Sequence, residues 1–278
     1  MMRIGVCGLG AMGRRIAARL VAAGHPVSGW NRTAIDPAAV PGVAIRNTPA
    51  AVAAASELVI TMLADPAALR AVVLGDDGIA SGVHDGIVLV DMSTVGPSAV
   101  LEVAAGLPPG TELIDAPVLG SLARVESGNL RILVGGDGPA IALAEPVLAV
   151  LGEVVHAGPP GSGAALKLVA NAATGSLPVL LSDALGLARR LGVETAVALD
   201  ALEATGLGGF IERVRGDVER GEYPPSFRLA LARKDLDLVL DAAGEPPLTM
   251  VHAAAERLRA AEAAGLGNRG FTAVVGDR

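Results

Sequence analysis

Short runs of apolar residues alternate with helical patterns along the first 160 residues of the chain. The apolar runs predict strands over residues 3–7, 27–30, 58–62, 87–91, 112–115, 130–134 and 153–156. After the first run, apolar residues recur at the spacing of one helix face, as at Ile16, Leu20 and Val21. Strands that alternate with helices in this way predict an α/β domain with a largely parallel, doubly wound sheet.

The pattern changes after Gly158-Pro159-Pro160-Gly161, a run of residues that interrupts regular structure. Beyond this point the apolar positions have a helical period, which predicts helices over residues 164–191, 195–205, 209–219, 226–243 and 247–264. We therefore expect two domains, an α/β domain over residues 1–160 and an all-α C-terminal domain over residues 161–278, joined through one long helix.

A glycine-rich turn joins the first predicted strand to the first predicted helix. Its sequence is Gly8-Leu9-Gly10-Ala11-Met12-Gly13. In a G-x-G-x-x-G turn the first glycine permits the tight turn, the second lets the backbone approach a diphosphate, and the third lets the helix pack on the strand. These six residues therefore predict a dinucleotide site, with the diphosphate at the helix N-terminus.

The end of the second predicted strand indicates which dinucleotide is bound. The strand runs into Asn31-Arg32-Thr33, whereas an NAD site has an Asp or Glu near this point for the ribose 2′-hydroxyl. The guanidinium of Arg32 can stack on adenine and pair with a 2′-phosphate, and Asn31 and Thr33 supply short hydrogen-bonding groups. The sequence therefore predicts NADP(H) as the cofactor.

Composition narrows the classes of function. The 278-residue chain has a net charge of −7 and only 2% aromatic residues, so it lacks the basic surface and the stacking side chains of a nucleic-acid-binding protein. It has one cysteine, Cys7, and four scattered histidines, so we expect no internal disulfide and no metal site. Because a strand begins almost at once and charged residues interrupt the longest apolar stretch, we expect a cytoplasmic protein without a membrane span.

Five separated motifs coincide in the chain. They are Gly8-x-Gly-x-Met-Gly13, Asp91-Met-Ser-Thr94, Asp115-Ala-Pro-Val118, Gly161-x-Gly-x-x-x-Lys167-x-x-x-Asn171 and Lys234-Asp-Leu236. Together they resemble the β-hydroxyacid dehydrogenase family, which includes 3-hydroxyisobutyrate dehydrogenase and glyoxylate/succinic semialdehyde reductase. The resemblance spans nearly the whole chain. It implies a Rossmann-type N-terminal domain and NADP-dependent hydride transfer to or from a small aldehyde, keto acid or hydroxy acid.

Lys167 and Asn171 are the candidate catalytic residues. They stand four residues apart, hence on one face of the predicted helix. A lysine side chain that loses hydration has a lowered pKa, which suits it for proton transfer, although a helical lysine taken alone is more often a surface residue. The resemblance implies that Lys167 donates a proton to the carbonyl oxygen, acts as the base in the reverse direction, and is held in place together with the substrate by Asn171.

The resemblance also implies roles for residues elsewhere in the chain. Leu63 and Thr94 would face the cofactor, Thr94 would also reach the substrate, and Lys234 would reach across to the cofactor. Phe227 would close over the nicotinamide and substrate or pack in the helical core. Two strand-end carboxylates, those of Asp91 and Asp115, are expected to anchor backbone rather than to perform acid–base chemistry.

One position departs from the family pattern. Leu119 stands where the family has a serine that helps to bind the substrate carboxylate, so the backbone around Gly120 and the hydroxyl of Ser121 are the remaining candidates for that contact. Leu119 also leaves open an imine-reductase-like enzyme, although related imine reductases tend to lack the lysine that is present here. A non-catalytic NADP-binding sensor is a third alternative, against which the retention of Lys167 and Asn171 argues.

Apolar faces on the predicted C-terminal helices indicate self-association. The long predicted helix carries five leucines on such faces, namely Leu177, Leu180, Leu181, Leu185 and Leu187. One small helical domain cannot easily bury all of them. We therefore expect a homodimer or a homotetramer with the long helix at the interface.

Overall fold

The computed structural model divides the chain into two compact units, Met1–Lys167 and Leu168–Arg278, and describes residues 1–276. The boundary between the units falls inside a helix, beyond the division expected at residue 160. The first unit is an α/β structure and the second is helical, which confirms the predicted fold class.

The first unit contains a nine-stranded sheet. Its strands are β1 Ile4–Cys7, β2 Val27–Trp30, β3 Val43–Ile45, β4 Leu58–Thr61, β5 Val88–Asp91, β6 Glu112–Asp115, β7 Val118–Leu119, β8 Leu130–Gly135 and β9 Gly152–Gly158. The order is β3-β2-β1-β4-β5-β6-β8-β7, with β9 also paired to β8. The first six strands in this order, β3-β2-β1-β4-β5-β6, are parallel to one another, whereas β8 is antiparallel to β6 and β7. These six strands therefore all end at the same edge of the sheet, whereas β8 and β9, which are parallel to each other, end at the opposite edge.

Six helices connect these strands. They are α1 Gly13–Ala22, α2 Pro49–Ala54, α3 Pro66–Leu74, α4 Pro97–Gly106, α5 Leu122–Glu126 and α6 Gly138–Leu151. Local sequence fixes several of their N-termini: Thr48 caps α2 and Asp65 caps α3, each through its side-chain oxygen, and a proline follows each cap. Apolar side chains form one core that includes β1 and α1 and a second core that includes α2, α3 and α4.

The second unit contains the C-terminal helices. Helix α7 Ser162–Thr174 crosses the boundary between the units, and it is followed by α8 Leu177–Arg190, α9 Thr195–Glu203, α10 Gly208–Arg220, α11 Leu229–Ala243 and α12 Thr249–Ala261. A π-helical turn over Glu262–Leu266 and a 3-10 helix over Phe271–Val275 follow. The buried apolar side chains of these elements form a core of their own.

The single long helix predicted over residues 164–191 is instead two helices, α7 and α8, with a turn at Gly175-Ser176. The break follows from Pro178, which has no N–H to continue the α7 hydrogen-bonding pattern. Two of the five leucines expected on exposed apolar faces, Leu181 and Leu185, lie in the core of the second unit. Within residues 1–276 one stretch, Ser162–Arg190, is long and apolar enough to cross a membrane, judged by length and composition only. A third of its most apolar 18-residue segment is buried inside the protein.

Candidate functional site

The glycine turn after β1 is fixed by two of its glycines and left open at the third. A Cβ on Gly13 would lie 1.8 Å from the Gly8 carbonyl oxygen, and a Cβ on Gly8 would lie 2.3 Å from the Met62 carbonyl oxygen. Gly8 also has a φ of +102°, which disfavours other residues. A Cβ on Gly10, by contrast, would meet no atom within 4 Å among the described residues.

This open position lies beside the start of α1. Met12 precedes the helix without a side-chain cap, and the first turn contains no acidic residue within the described chain. Backbone N–H groups at a helix N-terminus favour an anion, so the turn from Gly8 to Gly13 fits a dinucleotide diphosphate.

The loop after β2 is tied directly to the glycine turn. Gly8 N donates to Trp30 O at 2.9 Å, and Leu9 N donates to Asn31 Oδ1 at 3.1 Å. Asn31 Nδ2 in turn donates to Thr33 O at 2.8 Å. The Asn31 side chain therefore stabilises the loop after β2 through hydrogen bonds within the protein.

Two arginines follow neighbouring strands at this end of the sheet. Arg32 is exposed in the loop after β2. Arg46 directly follows β3, where its backbone N donates to Gly29 O at 2.8 Å and its Nε lies 3.4 Å from Ser28 Oγ. Sequence reasoning missed Arg46 because the three-residue strand β3 gives too short a pattern to recognise.

The ends of β4 and β5 bring two further candidates to the same edge. Leu63 N donates to Ser93 Oγ at 2.8 Å, which joins the loop after β4 to the loop after β5. Thr94 follows Ser93 and is half-buried, as is Leu63. Parallel strands thus collect Gly8, Asn31, Leu63 and Thr94 at one edge, which is where ligands bind in open α/β sheets.

Two buried carboxylates end the adjacent strands β5 and β6. Asp91 and Asp115 are register partners and are both fully buried. Asp91 Oδ1 accepts from Thr61 Oγ1 at 2.6 Å and from Ser93 N at 3.3 Å. Desolvation raises the pKa of both carboxyl groups, although hydrogen bonds act in the opposite direction.

Within the described residues of the first unit, the Asp115 side chain accepts hydrogen bonds from backbone N–H groups only. Its Oδ1 accepts from Gly161 N at 2.7 Å, and its Oδ2 accepts from Ala164 N at 2.6 Å. These contacts agree with the anchoring role expected for this carboxylate.

The candidate substrate segment follows β7. Leu119 is half-buried, and its backbone pairs with Arg131 in β8. Gly120, with a φ of +153°, and Ser121 are exposed, and the Ser121 side chain does not cap α5. A surface cavity of about 220 Å³ lies nearby, but none of the predicted site residues is among its lining residues, which are Arg124, Gly128, Asn129, Leu130, Arg131 and Glu153.

Lys167 and Asn171 stand one turn apart on α7, as the sequence predicts. Lys167 is half-buried and Asn171 is buried. Within the second unit, Asn171 Nδ2 donates to Asp235 Oδ2 at 2.9 Å, while Lys234 Nζ lies 2.7 Å from Asp235 Oδ1. Asp235 therefore joins two predicted site residues, Asn171 and Lys234.

The sequence predicts that Asp235 caps the helix or pairs near Lys234, and the contact with Lys234 agrees with that prediction, whereas the bond to Asn171 was not predicted. A signal was present, because Asp235 occupies a position on the apolar face of α11 between the buried residues Ala232 and Val239. A carboxylate at such a position needs a polar partner.

Part of this cluster lines a small cavity of about 40 Å³ in the second unit. Its lining residues are Asn171, Thr174, Gly175, Phe227, Ala232 and Asp235. The Phe227 ring packs edge-to-face on Phe271 with 5.6 Å between ring centroids and is 37% exposed. Phe227 therefore borders the cavity and also packs against the core. Within the described residues no group of three or more His, Cys, Asp or Glu side chains could hold a metal ion.

Two protein-family profiles together match almost the whole chain. Residues 3–158 match the family profile described as the NAD binding domain of 6-phosphogluconate dehydrogenase. Residues 161–276 match the profile described as NAD-binding of NADP-dependent 3-hydroxyisobutyrate dehydrogenase.

Named relatives and a solved structure are similar over their full lengths. Glyoxylate/succinic semialdehyde reductase 1 of Arabidopsis thaliana is 32% identical over 281 residues, which cover 99% of this chain and 97% of the relative. 3-Sulfolactaldehyde reductase of Escherichia coli is 31% identical over 287 residues, which cover 99% and 95% of the two chains. The structure of 3-hydroxyisobutyrate dehydrogenase from Mycobacterium tuberculosis with L-serine is 27% identical, with a TM-score of 0.84 over 100% of this chain and 99% of that one. These matches show that the chain belongs to the β-hydroxyacid dehydrogenase family of NAD(P)-dependent oxidoreductases.

Proposed function

We propose that the chain is an NADP(H)-dependent reductase of a small aldehyde or keto acid, with Lys167 as the proton donor. The observation that carries the proposal is the geometry at the sheet edge. The glycine turn, Leu63 and Thr94 lie at the carboxyl ends of parallel strands, and the start of α7, the helix of Lys167, is bonded to Asp115 at the end of β6.

A nicotinamide bound at this edge would supply the hydride for the carbonyl carbon. The ammonium group of Lys167 donates the proton that the carbonyl oxygen needs, and it takes that proton back when a hydroxy acid is oxidised. Asn171, held by Asp235, orients the substrate or the lysine. Thr94 contacts cofactor and substrate, Lys234 reaches the cofactor, and Phe227 closes over the substrate.

Two features support NADP(H) over NAD(H). The loop after β2 has Asn31 where an NAD site needs a carboxylate, and the exposed guanidinium of Arg32 follows it. Arg46, at the end of the neighbouring strand β3, adds a second cation at this end of the sheet.

The names of the relatives and the segment after β7 support this substrate class. Glyoxylate, succinic semialdehyde and 3-sulfolactaldehyde are small anionic aldehydes. The backbone at Gly120 and the hydroxyl of Ser121 offer donors for such an anion. Leu119 favours a second candidate, an imine reductase, which turnover of a cyclic imine faster than of any aldehyde would support.

We also propose that residues 1–160 bind the cofactor and that residues 161–278 supply substrate contacts and the interface of a homodimer or homotetramer. A cytoplasmic location and the absence of a membrane span, of a metal and of a nucleic-acid partner belong to the same proposal.

Replacement of Lys167 tests the proton donor. Lys167→Ala should lower kcat for reduction of a semialdehyde by roughly two to four orders of magnitude, the usual contribution of a general acid, and leave the Kd for NADPH nearly unchanged. The measurements are steady-state rates with glyoxylate, succinic semialdehyde and tartronate semialdehyde and a binding titration. An equal loss of NADPH binding would make Lys167 a structural residue.

Replacement of Arg32 tests the choice of cofactor. Arg32→Ala should weaken NADPH binding by about 1.5 to 3 kcal/mol, the value of a hydrogen bond to a charged group, with little effect on NADH. The ratio of the two dissociation constants is the measurement. An unchanged ratio would contradict the assignment of NADP(H).

A further inference from the structure

Helix α7 is capped by a carboxylate from a distant part of the chain. The first N–H groups of a helix have no partner within the helix, and a side chain just before the helix usually accepts from them. Here the acceptors are Oδ1 and Oδ2 of Asp115, which bind Gly161 N at 2.7 Å and Ala164 N at 2.6 Å. Asp115 precedes these residues by 46 and 49 positions, so the cap joins the end of β6 to the start of α7.

Glycine backbone encloses the carboxylate on two sides. A Cβ on Gly135, the register partner of Asp115 in β8, would lie 2.7 Å from Asp115 Oδ1. A Cβ on Gly163 would lie 2.9 Å from Asp115 Oδ2. The backbone of β8 and of α7 therefore approaches the carboxylate closely, and the direct hydrogen bonds of Asp115 tie the first turn of α7 to the end of β6.

The chemistry of the cap requires a carboxylate. Two N–H donors face two acceptor oxygens, whereas an asparagine would offer one oxygen and turn its own N–H₂ group toward a donor. Such burial is expensive for an acid, because the ionised form loses hydration. If water or a nearby serine hydroxyl accepted from the first N–H groups of α7, no desolvation cost would arise. The stability of the helix alone therefore does not account for a buried carboxylate at Asp115.

The capped turn leads directly to Lys167. This residue follows Ala164 by three positions and therefore lies on the next turn, about 4.5 Å further along the helix axis at a rise of 1.5 Å per residue. We infer that Asp115 is a positioning residue, which fixes Lys167 relative to the strand ends that hold the cofactor so that its ammonium group meets the carbonyl oxygen. The inference rests on the proposed role of Lys167 as proton donor.

A double-mutant cycle tests the inference on the full-length enzyme. Asp115→Asn should lower kcat roughly ten- to a hundredfold, as expected for a small misplacement of a catalytic group, with the Kd for NADPH within about twofold of the native value. In a Lys167→Ala background the same substitution should cause little further loss, because both changes remove one function. The solvent deuterium isotope effect on kcat should increase in Asp115→Asn, since proton transfer becomes slower.

The controls separate positioning from general damage. Thr48→Ala removes the cap of α2, a helix without candidate residues, and should lower stability while leaving kcat and the isotope effect unchanged. An unchanged kcat in Asp115→Asn, or an equal proportional loss with and without Lys167, would overturn the inference. If Asp115→Asn does not fold, Asp115→Glu, which keeps both acceptors, enters the same cycle. A native kcat in Lys167→Ala alone would instead refute the proposed function.

Discussion

At the carboxyl end of β5, Asp91 combines full burial with incomplete hydrogen bonding. Its Oδ2 has no hydrogen-bond partner within residues 1–276. Desolvation raises the pKa of Asp91 above its ordinary value of 3.8, and the nearby Asp115 adds to the increase. The folded chain therefore keeps the Asp91 proton to a higher pH than the unfolded chain, so this residue lowers stability as the pH rises from 3.8 through the raised value.

Asp91→Asn should remove this pH dependence. The amide keeps an oxygen for Thr61 and Ser93 and carries no charge. The free energy of unfolding of the variant, relative to the native chain, should therefore rise as the pH increases from 3.8 through the raised folded-state pKa of Asp91. Urea unfolding at several pH values measures the difference. A difference that does not change with pH would contradict the buried-acid explanation.

Glu57 provides a control with the opposite sign. The backbone N–H of Arg3 donates to Glu57 Oε2 at 2.8 Å and lowers the pKa of Glu57. This contribution to stability is present above the ordinary pKa of 4.5 and is lost as the pH falls through the lowered folded value. Glu57→Gln should therefore be less stable than the native chain near neutral pH, and the difference should vanish on acidification.

Residue chemistry was predictable from sequence only where the role depends on local neighbours. Gly8 and Gly13 have the backbone constraints that the motif implies, and Lys167 and Asn171 share a helix. The backbone partners of Asp115 and the Asn171 partner of Asp235 lie 46 to 64 positions away, so no local pattern could identify them.

At the scale of elements, the turn from β1 to α1 shows that the three glycines of one motif are needed for different physical reasons. Gly8 and Gly13 are required by the fold, because added Cβ atoms would overlap backbone oxygens, whereas Gly10 borders open space. Within this six-residue motif, Gly8 and Gly13 therefore serve the fold, and Gly10 is left to serve binding.

A pair of alanine substitutions tests this separation. Gly13→Ala should destabilise the chain by more than about 3 kcal/mol, because a Cβ cannot fit 1.8 Å from the Gly8 oxygen. Gly10→Ala should leave the thermal unfolding midpoint of the free protein unchanged but weaken NADPH binding at least tenfold, since the methyl group would occupy the approach of the diphosphate. Calorimetry and a binding titration measure both. Equal stability losses would show that Gly10, too, serves the fold.

Most elements with strong periodicity were predictable, and the short or broken ones were not. The apolar runs of β1, β2, β4, β5, β6 and β8 stand where the sequence predicts them. The strands β3 and β7 have three and two residues, too few for a periodic signal. The break between α7 and α8 was missed because apolar spacing continues across Gly175 and outweighed the proline that follows it.

For the whole molecule, the second unit leaves several large apolar side chains in contact with solvent. Leu187 in α8 and Val197 in α9 are 55% and 58% exposed, and Leu191, just after α8, is 70% exposed. These residues support the homodimer or homotetramer proposed above, because exposed apolar patches commonly mark an interface. The expected interface buries more than about 2,000 Å², as in obligate dimers.

Light scattering after size exclusion at micromolar concentration tests the assembly. The mass should be two or four times the 27.7 kDa of one chain. Leu187→Glu should shift the mass toward the monomer, whereas Leu101→Glu, which alters a comparably exposed leucine on α4 of the first unit, should not. A native mass of 27.7 kDa would contradict self-association.

The scarcity of aromatic residues makes the two units optically distinct. The chain has one tryptophan and one tyrosine: Trp30 ends β2 in the first unit, and Tyr223 lies buried in the second unit. The backbone O of Trp30 accepts from Gly8 N, so Trp30 is joined through its main chain to the glycine turn that fits the dinucleotide diphosphate. We therefore expect tryptophan emission to report on the glycine turn and on unfolding of the first unit, and tyrosine emission to report on the second unit, with no label added to either.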